Sequence, residues 1–448
     1  MGAKRVWSTA GVAALTGALL LTSAPLASAD DIRDKQWPLK VFDAERIWSI
    51  AQGQGVTVAV VDTGVDPNHP DLTGQVLPGK DMYGRDPYDE EVGDGHGTAM
   101  ASLIAGHGHG PNNADGVKGL APKAKILPVR ADDPEENGKI VGLKWDDGVR
   151  YAVDQGAKVI NLSLSGPSAT MSPDQVKAIE YARAHDVVVV AATGNEGIPV
   201  EYPAAFPGVV AVGAVDDSLT LTGNSNYGKD KLRKGEQQGV TLVAPGAEIP
   251  GAMPTESSGY AVRSGTSDST AYVSAAAALI RSKYPDLTAG QVVNRLVKSA
   301  KLPSGLKAPD EKYGYGVLRP GSALINDIPK GPKEGPLRQP SSSESKAGSE
   351  PSDGGATTDQ AKKKDKSSSG MIFLIAGIAA VVVIGGIIFA VVRSRRNRGG
   401  GGPGPGGGAP GGGPGFPNQP PYPNSGYQQG TYPGAPGQGH QNQNPYGQ

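Results

Sequence analysis

Short, mostly apolar runs alternate with helical patterns through much of this chain, and this alternation restricts the fold more than any other feature. Apolar runs without polar alternation are typical of strands covered on both faces. Helix starts separate them: Ser172 precedes a proline, and Thr288 with Gln291 forms a capping-box pattern. The pattern predicts an α/β domain with a mainly parallel sheet between helices. The predicted strands are 56–61, 125–130, 159–164, 187–191 and 209–215.

Three separated segments carry a carboxylate, an imidazole and a hydroxyl. Asp62 ends an apolar strand, His96 starts a small-residue helix, and Ser267 precedes another helix. A serine hydroxyl is a weak nucleophile near neutral pH, so it needs a base, and the base needs an anion to hold its tautomer. These residues predict Ser267 as nucleophile, His96 as general base and Asp62 as its orienting carboxylate. A turn aspartate and a structural histidine are the alternative interpretations.

The order Asp, His, Ser resembles that of the subtilisin-like (subtilase) family. The segments Val-Val-Asp-Thr-Gly-Val, His-Gly-Thr and Ser-Gly-Thr-Ser resemble the family's three signatures, over about residues 41–320. Ala-Ala-Thr-Gly-Asn-Glu-Gly, around Asn195, resembles its oxyanion-hole loop. The resemblance implies a three-layer subtilisin-like fold and a serine endopeptidase that forms an acyl-enzyme. It also implies that the Asn195 amide and the Ser267 N–H stabilise the oxyanion, although Asn195 has a turn role as an alternative.

A further segment, Asn-Leu-Ser-Leu-Ser-Gly from residue 161, is similar to the family strand that pairs with substrate backbone. An extended peptide on such a strand gains main-chain hydrogen bonds without a demand on its sequence. The resemblance therefore implies substrate contacts from the end of this segment. The implied substrate-binding residues are Ser163, Leu164, Ser165 and Gly166.

The sequence departs from the family pattern directly after the nucleophile. The family has Gly-Thr-Ser, any residue, alanine, any residue and proline, whereas here Ser267 is followed by Asp-Ser-Thr-Ala. The missing proline removes a helix-shaping residue but no chemical group. Asp268 adds a negative charge, which we expect either to raise the pKa of His96 or to select positive groups on substrates.

Composition excludes several kinds of site. The formal net charge of the 448 residues is −1, so no nucleic-acid footprint is present, and no cysteine is available for disulfides or thiolate ligands. We expect no cofactor and no metal. His107 and His109 lack further obvious ligands. An acidic loop before His96 has two interpretations, a site for calcium or basic substrates and a solvated loop. Its acidic residues are Asp81, Asp86, Asp89, Glu90, Glu91 and Asp94.

Both ends of the chain carry targeting patterns. Residues 1–29 have a positive start, an apolar core and an Ala-x-Ala site, as in a secretory signal peptide. Residues 371–392 contain no charge over 22 residues, long enough for a transmembrane helix. Basic residues flank this segment on both sides, so charge alone leaves its orientation open. The signal peptide places the domain outside the cell membrane and the C-terminal tail in the cytoplasm.

These patterns divide the remaining chain. Residues 30–54 form an N-terminal extension, and residues 55–328 form the subtilisin-like peptidase domain. Residues 329–370 are rich in Ser, Gly, Pro and Lys, which predicts a disordered linker. Residues 393–448 form a Gly/Pro-rich tail. The tail has two interpretations, a segment that binds a partner and a solvated tail.

The layout of signal, short extension, catalytic domain, linker and single span resembles the mycosins. These are membrane-anchored subtilases associated with type VII secretion. The resemblance implies cleavage of secretion-related polypeptides and contact with a type VII secretion membrane complex. Two other functions stay open. One is a largely structural scaffold of a secretion complex with weak or dispensable proteolysis, and the other is acyl transfer to non-peptide acceptors by the same chemistry.

Overall fold

The computed structural model describes residues 30–84, 95–132, 143–166, 171–230 and 237–339. Within those ranges no helix is both long and apolar enough to cross a bilayer. The predicted signal peptide (1–29), membrane span (371–392) and tail (393–448) lie outside the described residues. So do most of the predicted linker and all acidic-loop residues except Asp81.

The described residues form both strands and helices. The strands are β1 (Thr57–Asp62), β2 (Lys80–Asp81), β3 (His107–His109), β4 (Asp115–Lys118), β5 (Lys125–Arg130), β6 (Val159–Leu162), β7 (Val188–Ala192), β8 (Val210–Val215), β9 (Leu242–Pro245), β10 (Ile249–Ala252) and β11 (Tyr260–Arg263). The α-helices are α1 (Asp30–Lys35), α2 (Trp37–Phe42), α3 (Ala44–Trp48), α4 (His96–Ala105), α5 (Trp145–Asp154), α6 (Pro173–Ala184), α7 (Thr266–Lys283), α8 (Ala289–Ser299) and α9 (Pro320–Ile325).

A parallel sheet forms the middle layer. Among the described residues it has seven strands in the order β2-β5-β1-β6-β7-β8-β9, and each neighbouring pair is parallel. The hairpins β3-β4 and β10-β11 are antiparallel and lie outside this sheet. Because all seven strands run the same way, their carboxyl ends meet at one edge, where side chains from distant segments can converge.

Alternation along β1 shows how helices cover both faces of the sheet. Val58 and Val60 face a core shared with α4, α7 and α8, whereas Ala59 and Val61 face a second core shared with α5 and α6. All four side chains are fully buried. The predicted α/β fold with a mainly parallel sheet is therefore confirmed.

The predicted strands agree with the observed ones to within two residues at each end. The run 125–130 is predicted to the residue. The observed strand β6 ends two residues before the predicted run 159–164, because its pairing with β7 stops at Leu162. Both predicted helix caps are present, with Ser172 and Thr288 each in a capping box. Strands β2 and β9 of the sheet were not predicted, since each is a short run beside turn residues, and the strands of the two hairpins were not predicted either.

The segments on either side of the predicted domain also pack against it. In the N-terminal segment, the Phe42 ring meets the Tyr272 ring edge-on at 5.6 Å, and Trp48 donates to the Leu120 carbonyl. At the other end, Asn294 donates to the Pro329 carbonyl, and Leu337 is buried. The ordered domain thus extends beyond the predicted 55–328 in both directions, through apolar residues that short helices and turns bury.

Candidate active site

The predicted catalytic residues lie at or just after the ends of sheet strands and at the starts of two helices. Asp62 is the last residue of β1, and Asn195 lies in the turn after β7. His96 is the first residue of α4, and Ser267 is the second residue of α7. Each side chain is therefore held at the end of an element buried in the core, a position that limits its freedom.

Asp62 and His96 form a short charge-assisted contact. His96 Nδ1 lies 2.7 Å from Asp62 Oδ1, and their side chains are 25% and 3% exposed. The Thr63 N–H also donates to Oδ1, at 2.9 Å. Asp62 Oδ2 is buried and has no hydrogen-bond partner among the described residues. The carboxylate thus fixes the imidazole tautomer with the proton on Nδ1 and leaves Nε2 to act as a base.

Two threonines dock the Asp62 turn onto the start of α4. Thr63 Oγ1 accepts from the Gly97 N–H at 3.0 Å, and Thr98 Oγ1 accepts from the Asp66 N–H at 2.8 Å. A Cβ on Gly97 would lie 2.0 Å from the Gly64 carbonyl oxygen, so only glycine fits. This packing explains why Asp-Thr-Gly and His-Gly-Thr occur together: the small residue and the two hydroxyls set the Asp62–His96 distance.

The pKa of His96 is raised above its ordinary value by its neighbours. Burial of the ring lowers the pKa, but the charge and hydrogen bond of Asp62 outweigh that effect. Arg263 lowers it and Asp268 raises it, and the effect of Asp268 is one of the two that its position in the sequence suggested. The raised pKa favours the imidazolium, which a general base must become during proton transfer.

Ser267 is placed at the positive end of α7. Gly265 precedes this helix in an extended conformation and has no side chain with which to cap it. The first N–H groups of a helix lack partners within it, so the N–H of Ser267 is available to a ligand. The Ser267 hydroxyl donates to the Ser163 carbonyl at 3.2 Å.

The orientation of the Asn195 amide follows from its contacts. Oδ1 accepts from the Thr266 N–H at 2.9 Å and from Thr266 Oγ1 at 3.1 Å. A main-chain N–H can only donate, so it must face the oxygen of the amide. Nδ2 makes no hydrogen bond to the rest of the described chain. An amide donor is thereby held next to the nucleophile turn, free to bind a developing negative charge.

A buried polar chain behind the nucleophile was missed at the level of sequence. Ser274 donates to Asn161 Oδ1, Asn161 Nδ2 donates to Ser163 Oγ, and Ser163 Oγ donates to the Ser267 carbonyl, each at 2.9 Å. The chain ties α7 to the end of β6. One signal could have revealed it: Asn161 is a fully buried polar residue in the apolar run of β6.

The predicted substrate segment continues from the end of β6, beside Ser267. Ser163 and Leu164 are buried, and Ser165 and Gly166 are partly exposed. The Gly166 N–H donates to the Tyr202 carbonyl at 3.1 Å. The Ser163 hydroxyl is committed to Asn161 and Ser267. Ser163 therefore contacts the backbone of Ser267.

The solvated-loop interpretation is wrong for Asp81, the one acidic residue of the loop that the structure describes. Asp81 is buried, not solvated, and pairs with Arg130 at 3.2 Å, because β2 and β5 are adjacent and place the two residues in register. His109 pairs with Asp71, and His107 contacts the Thr73 carbonyl. In the described ranges no three His, Cys, Asp or Glu residues cluster as metal ligands.

A carboxylate–imidazole pair and a serine in the first turn of a helix are the groups that a serine hydrolase uses. The family model described as the Subtilase family (Peptidase S8) matches residues 53–316. This chain belongs to the subtilase family and is a serine endopeptidase, which acts on polypeptides.

Individual relatives agree with this assignment. Thermitase from Thermoactinomyces vulgaris is 39% identical over 250 residues, which cover 56% of this chain and 83% of that protein. MycP1 from Mycobacterium smegmatis aligns with a TM-score of 0.56 at 28% identity, over 67% of this chain and 87% of that chain. The MycP3 protease from the type VII (ESX-3) secretion system aligns with a TM-score of 0.52 at 30% identity, over 65% and 88%.

Proposed function

We propose that the chain is a membrane-anchored endopeptidase that cleaves extracytoplasmic polypeptides through a triad of Asp62, His96 and Ser267. The observation that carries this proposal is the 2.7 Å contact between His96 Nδ1 and Asp62 Oδ1, in a fold that places Ser267 in the first turn of a helix. The reaction uses side chains and water only, so it needs no cofactor.

The reaction begins with a rotation of the Ser267 side chain. In the resting enzyme its hydroxyl donates to the Ser163 carbonyl, so the proposed reaction requires the side chain to leave this carbonyl and donate to His96 Nε2. Nε2 takes the hydroxyl proton while Oγ attacks the scissile carbonyl. The imidazolium then gives that proton to the leaving amine, and the C–N bond breaks to leave an acyl-enzyme. Water, deprotonated by His96, hydrolyses this ester and restores Ser267.

The oxyanion is stabilised by two donors. Asn195 Nδ2 is held in place by the contacts of Oδ1 with Thr266, and the N–H of Ser267 projects from the first turn of α7. Both groups are positioned before the reaction starts, so little reorganisation accompanies charge development. The positive end of α7 adds to this stabilisation.

Substrate is proposed to lie along the end of β6. The proposed contact residues are Ser163, Leu164, Ser165 and Gly166. Their support is position: the segment leaves the sheet where β6 stops pairing with β7 and passes beside the nucleophile. An extended substrate there would form main-chain hydrogen bonds with this segment. The side chain of the substrate residue that precedes the scissile bond would contact the same segment.

The membrane anchor is proposed from sequence. A signal peptide at 1–29 would export the domain, and the uncharged run 371–392 would stop transfer. The linker, 329–370 by sequence, then begins with residues that pack on the domain, and the tail 393–448 faces the cytoplasm. Protease treatment of intact cells tests this topology. A tag at residue 448 should be protected, and a tag after residue 30 should be lost.

A link to type VII secretion is supported by likeness to MycP1 and MycP3, the latter a protease from the type VII (ESX-3) secretion system. We propose that the substrates are secretion-related proteins and that the chain contacts a secretion membrane complex. Mapping of new protein N-termini in wild type against Ser267→Ala tests this. Cleavage sites confined to secreted or envelope proteins would support it, and identical N-termini in the two strains would contradict it.

A scaffold role is the second candidate. It is favoured by the run after Ser267, where Ser269 replaces the alanine of the family pattern and the proline is missing. The test is complementation of a deletion strain with Ser267→Ala. Restored secretion would favour the scaffold, whereas failure with normal protein levels would favour proteolysis.

A further inference from the structure

Two opposite charges flank the turn that carries the nucleophile. Arg263 is the last residue of β11, and Asp268 is the third residue of α7. Arg263 Nη2 donates to Asp268 Oδ1 at 2.8 Å, and the two side chains are 18% and 3% exposed. Ser267 lies between them in the chain. The ion pair therefore links the last residue of β11 to the first turn of α7, on either side of the turn that carries Ser267.

Stability alone does not account for this pair. Arg263 Nη1 is buried and has no hydrogen-bond partner among the described residues. A buried unpaired donor destabilises a fold, and buried ion pairs are often less stabilising than apolar side chains of similar volume. A costly charge pair directly beside a nucleophile indicates a role in the reaction.

The two charges also act on the general base in opposite directions. Burial lowers the pKa of His96, and Asp62 raises it; of the flanking charges, Arg263 lowers it and Asp268 raises it. Loss of one member leaves the other unopposed. Because Asp268 is almost fully buried and paired, its charge is directed at Arg263 rather than at a substrate cation.

We propose that Arg263 and Asp268 are a positioning pair for the reaction, an assignment that rests on the catalytic role of Ser267. Their ion pair holds the 263–268 turn in the conformation that presents the Ser267 hydroxyl and N–H. The pair also sets two opposite charges near His96, so that their effects on this residue oppose each other. Neither residue touches the reacting atoms; both act through the turn and through His96.

The test measures the rate of covalent labelling of Ser267 by a fluorophosphonate as a function of pH, using the full chain. The variants are Asp268→Asn, Arg263→Gln and the double variant. Each single variant should lower the plateau rate about tenfold or more, since small displacements of a nucleophile cost large factors. The midpoint of the acid limb should move to lower pH in Asp268→Asn and to higher pH in Arg263→Gln. The double variant should return it toward wild type.

A second ion pair on the same helix supplies the control. Arg281 Nη1 lies 2.8 Å from Asp186 Oδ2, and Arg281 is about 20 Å along α7 from Ser267 at 1.5 Å rise per residue. Arg281→Gln should lower the melting temperature and leave both the plateau rate and the midpoint unchanged. This separates loss of stability from loss of positioning.

Distinct outcomes overturn distinct claims. Wild-type plateau and midpoint in folded single variants, with only a lower melting temperature, would reduce the pair to a structural contact. A change confined to KM for peptides with basic residues would make Asp268 a specificity residue and overturn the proposal. If a single variant fails to fold, the double variant is measured instead, because it has no unpaired charge. A plateau labelling rate equal to that of the wild type in the double variant would contradict the positioning role. Absence of labelling in the folded wild type would instead refute the proposed function.

Discussion

Two aspartate–histidine hydrogen bonds among the described residues have nearly the same geometry. His96 Nδ1 is 2.7 Å from Asp62 Oδ1, and His109 Nδ1 is 2.6 Å from Asp71 Oδ1. Both carboxylates are buried, and both rings are partly exposed, at 25% and 31%. An oriented imidazole is therefore present twice.

The surroundings of the two pairs differ. The second oxygen of Asp71 accepts from the Val117 N–H at 2.7 Å, whereas that of Asp62 has no hydrogen-bond partner among the described residues. The hydroxyl near His109 is the Tyr260 phenol, whose pKa is raised by burial and by the charge of Asp71, so it stays protonated. Ser267, the nucleophile proposed to act with His96, is instead the second residue of a helix whose first residue binds the Asn195 amide. The comparison teaches that the nucleophile and its oxyanion donors, and not the carboxylate–imidazole pair, distinguish a catalytic site from a structural one.

The largest effect should come from Ser267→Ala. The proposed function assigns all nucleophilic chemistry to this hydroxyl, so its removal should lower peptide hydrolysis by about 10⁶-fold, as in other triads. Steady-state hydrolysis of a fluorogenic peptide measures this, with circular dichroism as the check on folding. Substantial remaining turnover would mean that another group, such as the His109 pair, supports the reaction.

The matched variants Asp62→Asn and Asp71→Asn compare the two pairs directly. Asp62→Asn should lower kcat by about 10⁴-fold, because the imidazole loses its tautomer and its counter-charge. Asp71→Asn should leave kcat within a few-fold and reduce the free energy of unfolding by about 1–3 kcal/mol, because buried hydrogen bonds are lost. Kinetics and urea unfolding of both variants decide. Equal losses of kcat would erase the distinction between the pairs.

Asn195→Ala should have the next largest effect. Loss of one oxyanion donor typically lowers kcat by about 10²–10³-fold. Asn195→Asp keeps the acceptor for Thr266 but replaces the donor with a negative charge, so it should be at least as inactive. A comparison of kcat and KM for both variants tests the role of Nδ2. If Asn195→Asp retained activity, Asn195 would serve only to hold Thr266.

The smallest effect concerns pH. The pKa of His96 is raised from 6.5, because the effect of Asp62 outweighs that of burial. As the pH is lowered, kcat/KM should therefore decrease with a midpoint above pH 6.5, where His96 becomes protonated. The same shift stabilises the fold at pH values below the unfolded pKa, and this contribution is lost as pH rises through the folded pKa. A pH profile of kcat/KM locates the midpoint. A midpoint below 6.5 would show that burial, not Asp62, dominates.

Residue patterns predicted the parallel sheet and the helix caps, because burial on both faces and capping boxes are local signals. The run 125–130 became β5 without change. Tertiary partners were not predictable in the same way. Asp81 pairs with Arg130 only because β2 lies beside β5. Phe42, in the N-terminal segment, packs against Tyr272, which is 230 residues later in the sequence.

The candidate site shows the same limit. Four family-like segments placed Asp62, His96, Asn195 and Ser267 at strand and helix ends, which is where the structure has them. The polar chain from Ser274 through Asn161 depends on a contact between residues 113 apart, which no local pattern encodes. Likewise, Asp268 was recognised as a charge beside the nucleophile, but its partner Arg263 became apparent only from the turn between β11 and α7.

The most direct test of the central claim is identification of the residue that a fluorophosphonate modifies. Mass spectrometry of the labelled full chain should find the adduct on Ser267 and nowhere else, and labelling should disappear in Ser267→Ala. Folded wild-type protein that stays unlabelled, or an adduct on a different residue, would contradict the account.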